Sequence, residues 1–111
     1  MIIEKIVLNY LKTELDVPVM VEQPTGQIGE YVVFQVTERG WENHIEAATI
    51  EVSSYGESKL DAAEVDEAVR NAMFDIVKLD EISASKFGGG RDDKDDELKR
   101  YRYRSYFNLF F

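Results

Sequence analysis

The chain closes on ELKRYRYRSYFNLFF, a run in which side-chain character alternates residue by residue. Arg100, Arg102 and Arg104 fall on one face, and Tyr101, Tyr103, Phe107, Leu109 and Phe111 on the other. A period of two belongs to a β-strand, so the segment commits the fold to a sheet with one face turned into a core. Two further runs carry the same signature. EYVVFQVTERG places Val32, Phe34 and Val36 opposite Tyr31, Val33, Gln35 and Thr37, and HIEAATIEVSSYG places Ala48, Ile50 and Val52 opposite Thr49, Glu51 and Ser53. With a turn at Gly40, these two are expected to pair as an antiparallel hairpin.

Between the strand runs the apolar spacing is helical. Ile3, Ile6, Val7, Tyr10 and Leu11 recur on one helical face, which predicts an amphipathic helix over 2–14. VPVMVEQP reads as a short strand near 18–22, bounded by Pro18, Pro24 and Gly26. Ser58 is a candidate N-cap, and Ala62, Val65, Val69, Ala72, Met73 and Ile76 form the apolar stripe of a helix over 58–78. ISASKF at 82–87 is a further strand, pairing with the last one. The order α-β-β-β-α-β-β predicts an α+β fold: a largely antiparallel sheet of four to five strands packed against two helices.

At 111 residues the chain is expected to form a single domain, 1–111, and no internal repeat is visible. A formal net charge of -9 argues against general nucleic-acid binding, since phosphates repel an acidic surface, although DNA can pass such a surface without being gripped. No cysteine is present, which removes disulfides, thiolate metal sites and cysteine nucleophiles. The opening MIIEKIVLNYLKTEL has neither a basic leader nor an uninterrupted apolar span, so a cytosolic protein with no membrane segment is expected.

Chemistry-bearing candidates gather near the C-terminus. GGGRDDKDDE, residues 88–97, reads as a flexible, acidic, glycine-rich loop. If it is a mobile contact loop, deleting residues 89–96 leaves folding intact; if it packs, thermal stability collapses. Asp92, Asp93, Asp95 and Asp96 offer oxygen ligands, but their spacing is not that of a calcium loop, and Gly88–Gly90 lack the lysine and following helix of a phosphate loop. His44 is the lone histidine, so His-His metal sites are impossible, and a surface or half-buried role at a strand start is the ordinary one. No catalytic constellation is legible, and no cofactor or metal is expected.

The arginines are expected to pair with acids on neighbouring strands or on a neighbouring subunit, with the tyrosines of the opposite face in the core. An alternative is single-stranded nucleic acid bound by stacking and phosphate contact. Tyr106, Asn108 and Phe110 continue the arginine face toward the terminus, where exposed aromatic surface suits a partner. Trp41 is either an interface anchor or a cap over the sheet edge. Together with Arg91 and the loop aspartates these residues are the candidate interface.

The helix, VPVMVEQP, YVVFQVTERGW, ATIEVSSYGES running into an alanine-bearing helix, and the closing KRYRYRSYFNLFF together resemble the small tail-terminator and neck proteins of long-tailed bacteriophages and prophages. The resemblance spans nearly the whole chain and lies in order and flavour, without a catalytic signature. It implies a non-enzymatic virion assembly protein, present in the host cytoplasm during assembly and then in the virion neck. Such a protein forms a ring, typically a hexamer, that caps the tail tube and meets the head-side connector. It further implies that the loop Gly88 to Glu97 contacts the tail tube or a neighbour, and that the strand around Arg100 to Arg104 lines or joins subunits. The alternatives are a head-completion or head-tail connector protein and, in a different class, a small ligand-binding domain in which Arg102, Tyr103 and a carboxylate line a pocket.

Overall fold

A computed structural model describes residues 2–26, 29–42, 45–97 and 99–111; His44 lies outside the described residues. Helix α1 spans Ile3–Glu14 and helix α2 spans Lys59–Phe74. Five strands, β1 (Val19–Met20), β2 (Tyr31–Glu42), β3 (Ile45–Gly56), β4 (Ala84–Asp92) and β5 (Tyr101–Phe110), form one sheet in the order β1-β2-β3-β5-β4. Only β1–β2 is parallel; β2–β3, β3–β5 and β4–β5 are antiparallel. The fold is α+β in the order read from the sequence.

Both helices cover one face of the sheet. Val7 and Leu11 of α1, with Val69 and Met73 of α2, pack against Val32, Phe34, Ile50, Val52, Phe107 and Leu109, all of them buried. Tyr10 ties the helices together by donating its hydroxyl hydrogen to the Ala72 carbonyl at 2.6 Å. Ser58 caps α2 as expected, its Oγ accepting from the Asp61 amide at 3.1 Å. The α-helix ends at Phe74 rather than running to residue 78, and Asp75–Lys78 tighten into a 3-10 turn that still buries Ile76.

Two boundaries differ from the sequence reading in ways that matter for the site. Gly40 is no turn: β2 runs through it to Glu42, where Gly40 pairs with Ala47. Residues 88–92 are not loop but the second half of β4, with Gly89, Gly90, Arg91 and Asp92 opposite Tyr106, Ser105, Arg104 and Tyr103. Their glycines serve the ladder. Gly89 holds a positive φ of 115° at a register shift, a backbone conformation that side chains resist. Gly90 makes room: a Cβ there would sit 2.8 Å from Arg70 Nη2 and 2.9 Å from Ser105 Oγ.

Those two groups flank a buried carboxylate. Asp66, on the sheet-facing side of α2, accepts a 2.5 Å hydrogen bond from Ser105 and is ion-paired with Arg70, whose Nε lies 2.8 Å from Oδ2 without aiming its N–H at that oxygen. Arg70 then lies over the Phe87 ring at 4.7 Å, covering part of the sheet edge. Gly90 is thus explained by packing, since a side chain there would press on this cluster, and Gly89 by its backbone conformation.

Candidate functional site

Functional candidates concentrate on the sheet face that carries no helix. By strand register, this outer face takes Arg102, Arg104, Tyr106, Asn108 and Phe110 from β5, Tyr55, Ser53, Glu51 and Thr49 from β3, and Tyr31, Val33 and Gln35 from β2. Its two ends differ in character.

At one end the β4–β5 connection folds back onto the sheet. Asp95 and Arg100 form an isolated antiparallel bridge, which brings the acids over the arginines. Arg102 meets Asp93 and Asp95 at 3.1 Å each, and its Nε donates to the Asp93 carbonyl at 2.8 Å. Arg104 shares Asp93 at 3.2 Å and approaches Glu51 at 3.8 Å. Burial works against the Arg102 charge, but Tyr55, Asp93 and Asp95 more than offset it, and the pKa is raised. Asp92, on the helix side, pairs with Lys59 at 3.1 Å and raises that lysine's pKa.

Beneath this lattice lies an aromatic stack that sequence reading did not single out. Tyr31 and Tyr55 are opposite each other in the β2–β3 ladder, their rings parallel within 7° at 4.6 Å. Arg100 lies over Tyr31 at 5.2 Å and donates to the Gly29 carbonyl, and Arg102 lies over Tyr55 at 5.9 Å. Gln23 donates to the Tyr31 hydroxyl at 2.8 Å. Both rings are buried although they face away from the helices. Burial raises the Tyr55 pKa, with Arg102 pulling the other way. The usable signal in the sequence was a Tyr at each end of the predicted hairpin, which antiparallel pairing brings face to face.

The tyrosines of β5 are placed differently from expectation. Phe107 and Leu109 are core residues as predicted, but Tyr101 is 36% exposed and Tyr103 half-buried. Alternation along β5 puts Tyr103 on the helix side, where Lys59 in the first turn of α2 pairs with its ladder neighbour Asp92. Tyr103 therefore faces the side opposite Arg102, and the two do not line one pocket. Arg102, Arg104 and Glu51 instead border a shallow polar depression of about 240 Å³.

The other end of the outer face is open. Trp41, 72% exposed, Phe110 and Lys86 border a groove of about 320 Å³ floored by Ala47, Thr49 and Asn108. Thr49 donates to Asn108 there at 2.9 Å, and Lys86 lies over the Phe110 ring. Tyr106 and Phe110 are half-buried, whereas Arg91 and Asp96 are exposed. The structure thus gathers Asp93, Asp95, Arg100, Arg102 and Arg104 into one internal network, and leaves Trp41, Arg91, Asp96 and the edge of Phe110 on the surface. Among the described residues no cluster of His, Cys, Asp and Glu is gathered as a metal-binding group, and no helix is long and apolar enough to cross a membrane.

No protein-family model matches the chain, and no curated protein sequence matches it. Among solved structures it is similar to a chain of the structure described as the virion of a native gene transfer agent particle. That match has a TM-score of 0.62 and 16% sequence identity, covering 90% of this chain and 82% of the other. At this identity the likeness is one of fold.

Proposed function

We propose that this protein is a structural component of a phage or phage-like particle, specifically a tail terminator that forms a ring, most simply a hexamer, between the tail tube and the head-side connector. The observation that carries this reading is the fold likeness to a chain of a gene transfer agent virion over 90% of the present chain. Three features support it. Of the arginines that would serve a nucleic-acid groove, Arg102 and Arg104 are spent on Asp93, Asp95 and Glu51 within the chain and Arg100 lies over Tyr31, which suits a protein that lets DNA pass. The net charge of -9 keeps a ring lumen from gripping DNA. Trp41 and the neighbouring groove offer aromatic contact surface, and the exposed Arg91, Asp92 and Asp96 offer polar rim contacts.

In this role the protein is not an enzyme and needs no cofactor; it acts in the host cytoplasm during assembly and in the virion neck afterwards. Its partners are copies of itself, the tail-tube protein and the connector. A head-completion protein is the neighbouring alternative, distinguished by binding connector but not tail tube. The deciding experiment is light scattering coupled to size exclusion across a concentration series, with and without tail-tube protein. A defined ring in either condition is the expected result, and a strict monomer in both overturns the reading.

A further inference from the structure

The sheet ends on two strands with an unpaired edge. Among the described residues β4 is last in the order and bonds only β5, so its nine residues, Ala84–Asp92, present a free edge. On the opposite side β1 covers only Val32 and Val33, leaving β2 without a strand partner from Phe34 to Glu42 among the described residues. Open edges invite a further strand, and here the two are matched in length. Alternating strand directions make β4 and β2 of adjacent copies antiparallel when their sheets face the same way.

We infer that a second copy of this chain occupies each edge, the β4 edge of one subunit pairing antiparallel with the β2 edge of the next. The inference rests on the ring reading above and supplies its subunit contact. Full overlap of the two free stretches pairs residue 35 with 91, 40 with 86 and 41 with 85. That register also sets irregularity beside irregularity: β2 shifts between Val36 and Glu38, and β4 between Phe87 and Gly89. Faces then stay matched on both sides of the bulges, whereas a bulge meeting regular strand would flip one side.

Side-chain chemistry agrees with this register. Trp41, which borders the outer groove but pairs with Glu46 in the helix-side row of the β2–β3 ladder, meets Ser85 of the next copy, at the lip of a depression of about 260 Å³ that includes Arg70, Phe74 and Phe87. Phe74 is 74% exposed and Phe87 51%, so indole, phenyl and guanidinium groups left open in one subunit cover one another in the pair. On the outer side, Arg91 of β4 faces Gln35 of β2, and Lys86, opposite Gly40, lies diagonal to Glu38. Arg91 sits directly opposite the like-charged Arg104 within its own chain, and the neighbour's Gln35 carbonyl offers it an acceptor. Because the two edges are different surfaces, the contact is heterologous and repeats head to tail, closing into a ring if the rotation allows.

Absence of native cysteine makes the test clean. In Gln35→Cys/Arg91→Cys the two thiols of adjacent subunits lie on directly opposed positions, with Cβ atoms about 4.5–5.5 Å apart, which a small approach of the strands brings into disulfide range. Mild oxidation, with tail-tube protein added if the ring requires it, is expected to give a ladder of covalent multimers on a non-reducing gel that ends at the ring and collapses on reduction. Each single variant should give dimers at most, and the out-of-register Gln35→Cys/Lys86→Cys should give no ladder. Trp41→Ala should raise the protein concentration needed for assembly at least ten-fold while leaving the melting temperature of the monomer unchanged. A ring by light scattering without the ladder overturns the edge pairing and leaves the ring reading standing. A ladder without a closed ring supports the pairing and overturns the ring. Neither ring nor ladder overturns both.

Discussion

At the scale of single residues, the protein's unusual groups are held by partners that are distant in sequence. Tyr10 is the plainest case: burial, then the nearby Glu14 and Asp75 carboxylates, push its pKa up to about 12. The folded state therefore keeps the proton while the unfolded chain, with a phenol near pH 10, loses it. The neutral hydroxyl's stabilisation is fully present below pH 10 and is lost as pH rises toward 12, on the order of 2 kcal/mol over that window. Tyr10→Phe is expected to destabilise at neutral pH by about 1 kcal/mol, through loss of the buried hydroxyl's bond to the Ala72 carbonyl, and to flatten the fall between pH 10 and 12. Denaturant melts at stepped pH check both. In the outer network Asp93 bridges two guanidiniums, so Asp93→Ala should cost about 1–3 kcal/mol, by leaving Arg102 and Arg104 partly uncompensated in a half-buried site. An effect below about 0.3 kcal/mol in the same melts would show that the lattice is ordinary surface pairing.

At the scale of elements, the glycine run and the acids divide where the sequence offers no visible seam. Gly88–Asp92 are strand, and Asp93–Arg100 are a connection pinned by the Asp95–Arg100 bridge and by Arg102. Deleting residues 89–96 is therefore expected to collapse thermal stability, because it removes half of β4 and both acids over Arg102; an unchanged melting temperature would show a dispensable loop. Gly90→Ala should destabilise by about 1–3 kcal/mol by pushing on Arg70 and Ser105, and Gly89→Ala by a similar amount through its positive φ. Helix and strand types were legible because period 3.6 and period 2 are local properties of the chain. The strand identity of 88–92 was not, because a glycine has no side chain to show a period and its pairing with Tyr106 and Ser105 is fixed by β5, many residues away.

At the scale of the whole molecule, charge separates assembly from nucleic-acid binding. Subunits carrying -9 each repel, and added salt screens that repulsion. Ring formation is expected to strengthen as salt rises from about 50 to 200 mM, whereas binding to phosphates weakens steeply over the same range. Scattering in a salt series, beside a DNA mobility shift at low salt, checks the pair of expectations. Oligomers that dissociate as salt rises, together with a DNA shift, would favour the nucleic-acid alternative.

What the chain alone determined was the list of elements, their order, and which face of each is apolar, since alternation, helical spacing, Ser58 and the prolines act within a few residues. The arginine-bearing face of the last strand and the acidity of the segment before it were equally plain. Tertiary structure alone decided that these opposite charges satisfy each other, that Tyr31 and Tyr55 are buried beneath them, and that Tyr101 and Tyr103 escape the core. Each outcome depends on where β5 enters the sheet, between β3 and β4. Strand order and helix placement arise from packing the whole chain at once, and no local pattern encodes them.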